Sequence, residues 1–368
     1  MAPMKNITFV FLMLSFFLSN AQNEGKKYFS IDGSYFYGSI VEHNPHISHL
    51  ITHHPEGILL SFNRKTFGQD QWEARYNYPD VGFTFTYQDM KNQYLGDNFG
   101  LYAHMGFYFL KRNLVIKVAQ GLAYNTNPYD PDNNYINNAY GSSIMSSTIF
   151  SGNFQRENIF KGIGFQAGLA LVHYSNADFK SPNNSTNTLA VNAGLNYRFD
   201  HEDQPDFIPK DKTPYSEPFH YNFVLRSGAN TTGVIGSKTY PFLTISAYAD
   251  KRINRKSTLQ AGTELFLSRS MEEYIYYQSV TFHRGGTTGK EDAKRVGVFL
   301  GHQLTFRKLS MITHLGYYAY YPYDNYVDRI YNRVGLQREI YKDLFGSVTV
   351  LAHGMNAEAV EFSLGYRL

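Results

Sequence analysis

After residue 22 this 368-residue chain has no run approaching the roughly 18 to 20 continuous apolar residues of a membrane-spanning helix. What it has instead is alternation. Val296, Val298, Leu300 and Leu304 oppose Arg295, Gly297, Gly301 and Gln303. Leu243, Ile245, Ala247 and Ala249 oppose Thr244, Ser246 and Tyr248. Val360, Phe362, Leu364, Tyr366 and Leu368 oppose Glu361, Ser363, Gly365 and Arg367. A period of two is the signature of a strand with one apolar face. Turn signals divide the chain into about sixteen such segments, from 28–41 through 142–154, 158–175 and 187–200 to 357–368. The expected fold class is all-β: a transmembrane antiparallel β-barrel of about 14–16 strands.

Composition agrees. The chain has 31 Tyr, 29 Phe, 30 Gly and no Cys, yet its mean hydropathy is −0.39. Many aromatic residues in a chain that is polar on average suit a barrel with an apolar outside, a polar lumen and aromatic girdles. They do not suit a disordered chain. A formal net charge of +3 is too small to argue for nucleic acid. Lys5, the mostly apolar stretch Ile7 to Leu18 and then Ser19-Asn20-Ala21 have the form of a secretory signal. The expected layout is a signal peptide over 1–21 and a barrel over 22–368, read as one large cylinder with about eight strands on each side of residue 200. The acidic, Pro-containing stretch 201–216, with Glu202, Asp203, Pro205 and Asp206, is the seam between halves.

Bacterial barrels have short periplasmic turns and longer outer loops. With the first strand running outward, the outer loops include 42–54, 125–141, 176–186 and 271–292, all long, and the inner turns include Lys111-Arg112, Asn254-Arg255 and Arg307-Lys308. Connections 66–79, which carries Trp72, and 201–216 are the exceptions. Trp72 is read as a packing or interface residue.

In this orientation one strand ends outward in His173-Tyr174-Ser175-Asn176. Ile163, Phe165, Ala167, Leu169 and Leu171 share the parity of His173 and Ser175, so the pair stands on the apolar side. In a soluble protein that side is a sealed core; in an outer-membrane barrel it faces lipid, where a hydrolytic pair meets an acyl ester. A Ser attacks an acyl carbonyl once a base takes its proton, and a third group must hold the other ring N–H of the His. Asn187 opens the next strand on the same face and is the natural orienting group. Asn176 and the backbone N–H of Ala177 are placed to donate to an oxyanion, and Asn183 and Asn184 shape the loop or help there. The same residue types also occur at ordinary strand-to-loop transitions.

At His173-Tyr174-Ser175-Asn176-Ala177, Pro182-Asn183 and position 187, and more loosely from about Gly33 to Phe199, the sequence resembles the lipid A 3-O-deacylase (PagL-like, acyloxyacyl hydrolase) family of outer-membrane barrels. The resemblance implies His173 as base, Ser175 as nucleophile and hydrolysis of an ester-linked acyl chain of lipopolysaccharide from outside the barrel. It makes 22–200 the deacylase-like half and 201–368 additional strands. Where the best-known members place a Glu to orient the His, this chain has Asn187, and it is roughly twice as long as the small eight-stranded members.

Two other clusters carry less. His43, His46, His49, His53 and His54 crowd the first long loop but have only Glu42 and Glu56 as acidic company, which reads as an exposed loop more than a metal site. The run Tyr129-Asp130-Pro131-Asp132-Asn133-Asn134 lacks EF-hand spacing and reads as turn chemistry. No metal or cofactor is expected. The expected partners are lipid A and the outer membrane, with no nucleic acid. The competing function classes are a porin-like channel and a structural or adhesive barrel with a degenerate site.

Overall fold

The computed structural model describes residues 26–203, 205–282 and 286–368; the expected signal peptide lies outside them. Each alternating segment becomes a strand. The first eight are β1 (Tyr28–Ile40), β2 (Glu56–Lys65), β3 (Asp80–Asp89), β4 (Asp97–Phe109), β5 (Leu114–Asn125), β6 (Ile144–Phe160), β7 (Ile163–Ser175) and β8 (Thr186–Arg198). They are followed by β9 (Phe219–Asn230), β10 (Tyr240–Arg252), β11 (Ser257–Ser268), β12 (Arg295–Phe306), β13 (Leu309–Tyr320), β14 (Ile330–Tyr341), β15 (Leu344–His353) and β16 (Asn356–Arg367).

The strands do not make one cylinder. They close twice: β1 pairs with β8, giving one eight-strand barrel, and β9 pairs with β16, giving another. This corrects the single-barrel expectation, and the interiors supply the reason. An eight-strand barrel is just wide enough to be filled by side chains, and the inward residues here are large. Phe36, Tyr102, Val172 and Tyr174 pack inside the outer half of the first barrel. Below them Asn63 Nδ2 donates to Asp32 Oδ2 at 2.8 Å, Lys117 Nζ lies 3.2 Å from the same oxygen, and Gln166 Nε2 donates to Ser34 Oγ at 2.8 Å. The space left among these groups is about 20 Å³, room for about one water.

The second barrel is filled by charge. Arg333 Nη1 lies 2.7 Å from Glu264 Oε1 and its Nε 2.5 Å from Glu361 Oε2, while Arg295 holds Glu358 at 2.5 Å. Tyr318 and Tyr331 stack with centroids 4.8 Å apart, and Phe266 stands edge-on to both. These buried charges of opposite sign pair with one another, which offsets the cost of placing them in a low-dielectric interior.

Outward parity is apolar on both barrels, with Leu101, Ile116, Phe150, Leu169, Val191, Leu225, Leu300 and Leu315 exposed. Exposed aromatic residues flank this band: Tyr35, Tyr37 and Tyr124 at one end of the first barrel, Phe109, Phe160 and Phe199 at the other.

Three local expectations differ. β6 runs on to Phe160, past the expected 154, and β7 begins at Ile163, because Gln155 and Glu157 continue inward, where Glu157 pairs with Lys65. The loop 271–292 contains most of a helix, Arg269–Thr281, whose first turn is capped by Ser268. Connection 66–79 contains the short helix Gln71–Arg75. Trp72 stands edge-on to Phe306 of the second barrel, and Phe306 also lies 4.4 Å from the Tyr76 ring. The barrels thus meet at the linker end through Phe306, Arg307–Asp70 and Tyr76 OH donating to Thr305 O.

Candidate active site

β7 alternates to its last residue. Val172 and Tyr174 are fully buried in the first barrel, which forces His173 and Ser175 onto the outer wall. Antiparallel register places His173 directly opposite Asn187 of β8, and the two meet: His173 Nδ1 lies 2.8 Å from Asn187 Oδ1. His173 is half-buried, whereas Ser175 and Asn187 are covered to 6% and 7% exposure by the loop between them.

That loop is built from asparagines. Asn183 Oδ1 accepts from Ser175 Oγ at 3.2 Å and from the Asn176 N–H at 2.9 Å. Asn176 Nδ2 donates to Lys180 O at 2.6 Å, so its amide is committed to the loop. The Ala177 N–H points back at Ser175 Oγ, 3.0 Å away. Reaching that geometry takes two consecutive left-handed residues, Ala177 (φ 52°) and Asp178 (φ 61°), which L-residues adopt at a cost of about 1–2 kcal/mol each. Further along, the Asn184 and Ser185 N–H groups donate to Asn138 O and Ala139 O of the neighbouring loop.

The structure therefore brings His173, Ser175, Asn187, Asn176, Ala177 and Asn183 together at one end of β7 and β8. In this resting arrangement Ser175 spends its proton on Asn183, not on His173. A polar trio that the sequence reading missed adjoins them. Thr148 and Ser146 of β6 are register partners of His173 and Ser175, and Gln120 of β5 bonds both, donating to Ser146 Oγ at 3.0 Å and accepting from Thr148 Oγ1 at 2.6 Å. The signal was present as a polar break in the outward apolar parity of β5 and β6.

The loop histidines disperse. His43 Nε2 lies 3.0 Å from Ser185 Oγ, His49 Nε2 3.0 Å from Ile136 O, and His54 Nδ1 2.8 Å from Ser39 Oγ. Among the described residues no group of three or more His, Cys, Asp or Glu converges as metal ligands. Asp130 closes its own turn, accepting from the Asp132 and Asn133 N–H groups.

Two closed antiparallel barrels, with the His173, Ser175 and Asn187 cluster on the outer wall of the first instead of in a lumen, define the class as a β-barrel protein. Residues 56–196 match the family lipid A 3-O-deacylase (PagL), and residues 219–368 match acyloxyacyl hydrolase, C-terminal domain. The chain belongs to this PagL-like family, and that membership supports hydrolase activity on lipid A. The family matches fall on β2–β8 and on the whole second barrel. No curated protein matches the chain. Among solved structures, a five-substitution mutant of Rh. blastica porin is 11% identical, covering 92% of this chain and 100% of that one, with a TM-score of 0.20. A triple mutant of Rhodopseudomonas blastica porin is 9% identical at the same coverage, with a TM-score of 0.19. Similarity at that level carries no argument about this chain.

Proposed function

We propose that this protein is an outer-membrane ester hydrolase that removes an ester-linked acyl chain from lipid A through Ser175 and His173 on the lipid-facing wall of the first barrel. The observation that carries the reading is the 2.8 Å contact between His173 Nδ1 and Asn187 Oδ1, beside Ser175 and above an exposed apolar band. Apolar surface on that scale, flanked by aromatic rings, belongs in a bilayer. Leu169, Leu171, Leu189 and Val191 form the wall on which an acyl chain would lie, with the ester at the level of Ser175.

With Asn187 Oδ1 accepting, the ring proton rests on Nδ1 and Nε2 keeps its lone pair. The Ser175 hydroxyl turns from Asn183 to Nε2, and Oγ attacks the ester carbonyl as Nε2 takes its proton. The tetrahedral oxyanion develops beside the Ala177 N–H and the Asn183 amide, donors of a kind each worth about 2.7 to 4 kcal/mol. The imidazolium then protonates the departing sugar oxygen, leaving an acyl-serine. Water, deprotonated by the same Nε2, releases the fatty acid and restores Ser175. Asn176 acts by holding the loop.

The test is mass spectrometry of lipid A from cells making the wild-type, Ser175→Ala or His173→Ala protein. Loss of one acyl chain with wild type, and none with either variant while both variants retain the heat-modifiable gel mobility of a folded barrel, is expected. Identical lipid A spectra with and without the wild-type protein would overturn the reading. The channel alternative is disfavoured by the packed interiors of both barrels.

A further inference from the structure

The loop that follows Ser175 is not held by its own barrel alone. Thr231, the first residue after β9, is fully buried against it. Its N–H donates to Asp178 O at 3.0 Å, its hydroxyl donates to Asp178 Oδ1 at 3.1 Å, and Ser181 Oγ lies 2.8 Å from Thr231 Oγ1. Gly233 N–H also reaches Thr231 Oγ1, at 3.2 Å. A threonine hydroxyl has one proton and two lone pairs, so here all three are used, two of them across the inter-barrel boundary. Thr239 Oγ1 adds a bond to Phe179 O at 3.1 Å, and Tyr326 OH reaches Thr231 O at 3.4 Å from the second barrel's own side.

The position of this brace matters more than its strength. Asp178 is the second of the two left-handed residues, and Ala177, the first, presents its N–H to Ser175 Oγ. Nothing in the side chain of an alanine offsets that backbone conformation, so a pin on the loop's far side adds to the Asn176 and Asn183 bonds that hold it from within. The pin comes from the second barrel.

We propose that Thr231 is a positioning residue for the Ser175 loop, and that the second barrel serves the reaction by fixing, through Thr231, the backbone donor beside the nucleophile. This rests on the function proposed above. It gives the second barrel, whose interior is closed and whose described residues contribute no group to the His173–Ser175–Asn187 cluster, a part in the chemistry of the first.

Thr231→Val keeps the volume and the backbone N–H but removes the hydroxyl. The expected result is a kcat lower by about tenfold or more, the scale of one or two buried hydrogen bonds, with KM within about twofold. The rate at which a fluorophosphonate labels Ser175 should fall in parallel, since labelling also needs the donor. Thr231→Ser should restore both, and Ser181→Ala, which removes one bond, should fall between. Phe306→Ala, which loosens the barrels at the opposite end, should leave kcat unchanged. Wild-type kcat and labelling in Thr231→Val overturn the proposal, as does equal loss in Thr231→Ser or in Phe306→Ala. If Thr231→Val does not fold, Ser181→Ala and Thr231→Ser decide it alone. Ser175→Ala separates the two claims: an inactive Ser175→Ala beside a fully active Thr231→Val sinks only this inference, and activity surviving in Ser175→Ala sinks the site and this inference together.

Discussion

Replacing Asn187 by Asp should make this enzyme faster. In the resting site His173 Nδ1 is hydrogen-bonded to a neutral amide oxygen at 2.8 Å, a bond of ordinary net worth, about 1 kcal/mol. When the ring takes the Ser175 proton it becomes a cation, and a carboxylate at the same place makes the bond charge-assisted, roughly twice as strong. Asn and Asp have the same shape, so the contact stays in place while its charge changes. The extra stabilisation is felt only once the imidazolium forms, so it enters kcat and leaves KM alone. About 1 to 2 kcal/mol corresponds to roughly 5- to 30-fold. Because position 187 is only 7% exposed, burial opposes ionisation of the new carboxyl, and the gain should grow as pH rises. The assay is the initial rate of fatty-acid release from lipid A in detergent micelles, read by mass spectrometry from about pH 5 to about pH 9. Asn187→Ala should lose activity over the same range. An Asn187→Asp enzyme no faster than wild type at any pH, beside an Asn187→Ala enzyme equal to both, would show that position 187 does not orient the ring.

Two further outcomes follow from the interior and from the boundary between barrels. Glu264→Gln leaves Arg333 and Arg226 short of a counter-charge at a site 1% exposed or less on the Glu264 side, and should destabilise the second barrel by about 3–5 kcal/mol, seen as a lower urea midpoint for loss of heat-modifiable mobility. Burial pushes the Asp178 carboxyl up from 3.8 to about 7, with Glu358 of β16 adding to the rise, the Thr231 hydroxyl opposing it and Tyr326 close by. Since the folded state prefers the protonated acid, that part of the docking energy is complete below about pH 4 and is lost as pH climbs through about 7. Hydrogen exchange at residues 176–185, corrected for intrinsic rates, should therefore quicken in wild type as pH climbs from about 4 to about 7, level off above that, and stay level throughout in Asp178→Asn; the same pH profile in both would discount the group.

Much of this was legible in one chain. Val296 against Gly297, or Phe362 against Ser363, is enough to place a strand and name its outward face, and the strand limits fell mostly within two residues of the expected ones. The parity that put His173, Ser175 and Asn187 on one wall needed no more than counting. The number of cylinders was not legible, because an alternating strand looks the same whether a sheet closes after eight neighbours or sixteen. The difference lies in how the inward residues pack: Arg226, Arg333, Tyr102 and Phe36 are buried and fill two narrow interiors, which depends on which strands close on which. The helix Arg269–Thr281 was hidden inside the expected outer loop 271–292 because Tyr274, Tyr276 and Tyr277 are weak helix formers, while its cap, Ser268, falls within the stretch read as strand. The Gln120–Ser146–Thr148 trio and the Thr231 brace depend on which strands lie side by side and which loops touch, and neither is a property of local sequence.

Double closure also changes how the chain reaches its native state. In a single sixteen-strand ring the first strand would have to find the last across nearly the whole polypeptide. Here Ser30 needs only Arg198, and Ser227 needs only Phe362. Each ring is sealed by partners from its own half of the molecule, and shorter sequence separation between pairing strands favours faster assembly. The amino-terminal ring can seal while its successor is still open, and the bonds from Thr231 to Asp178 and Ser181 form only when the later ring arrives to meet it.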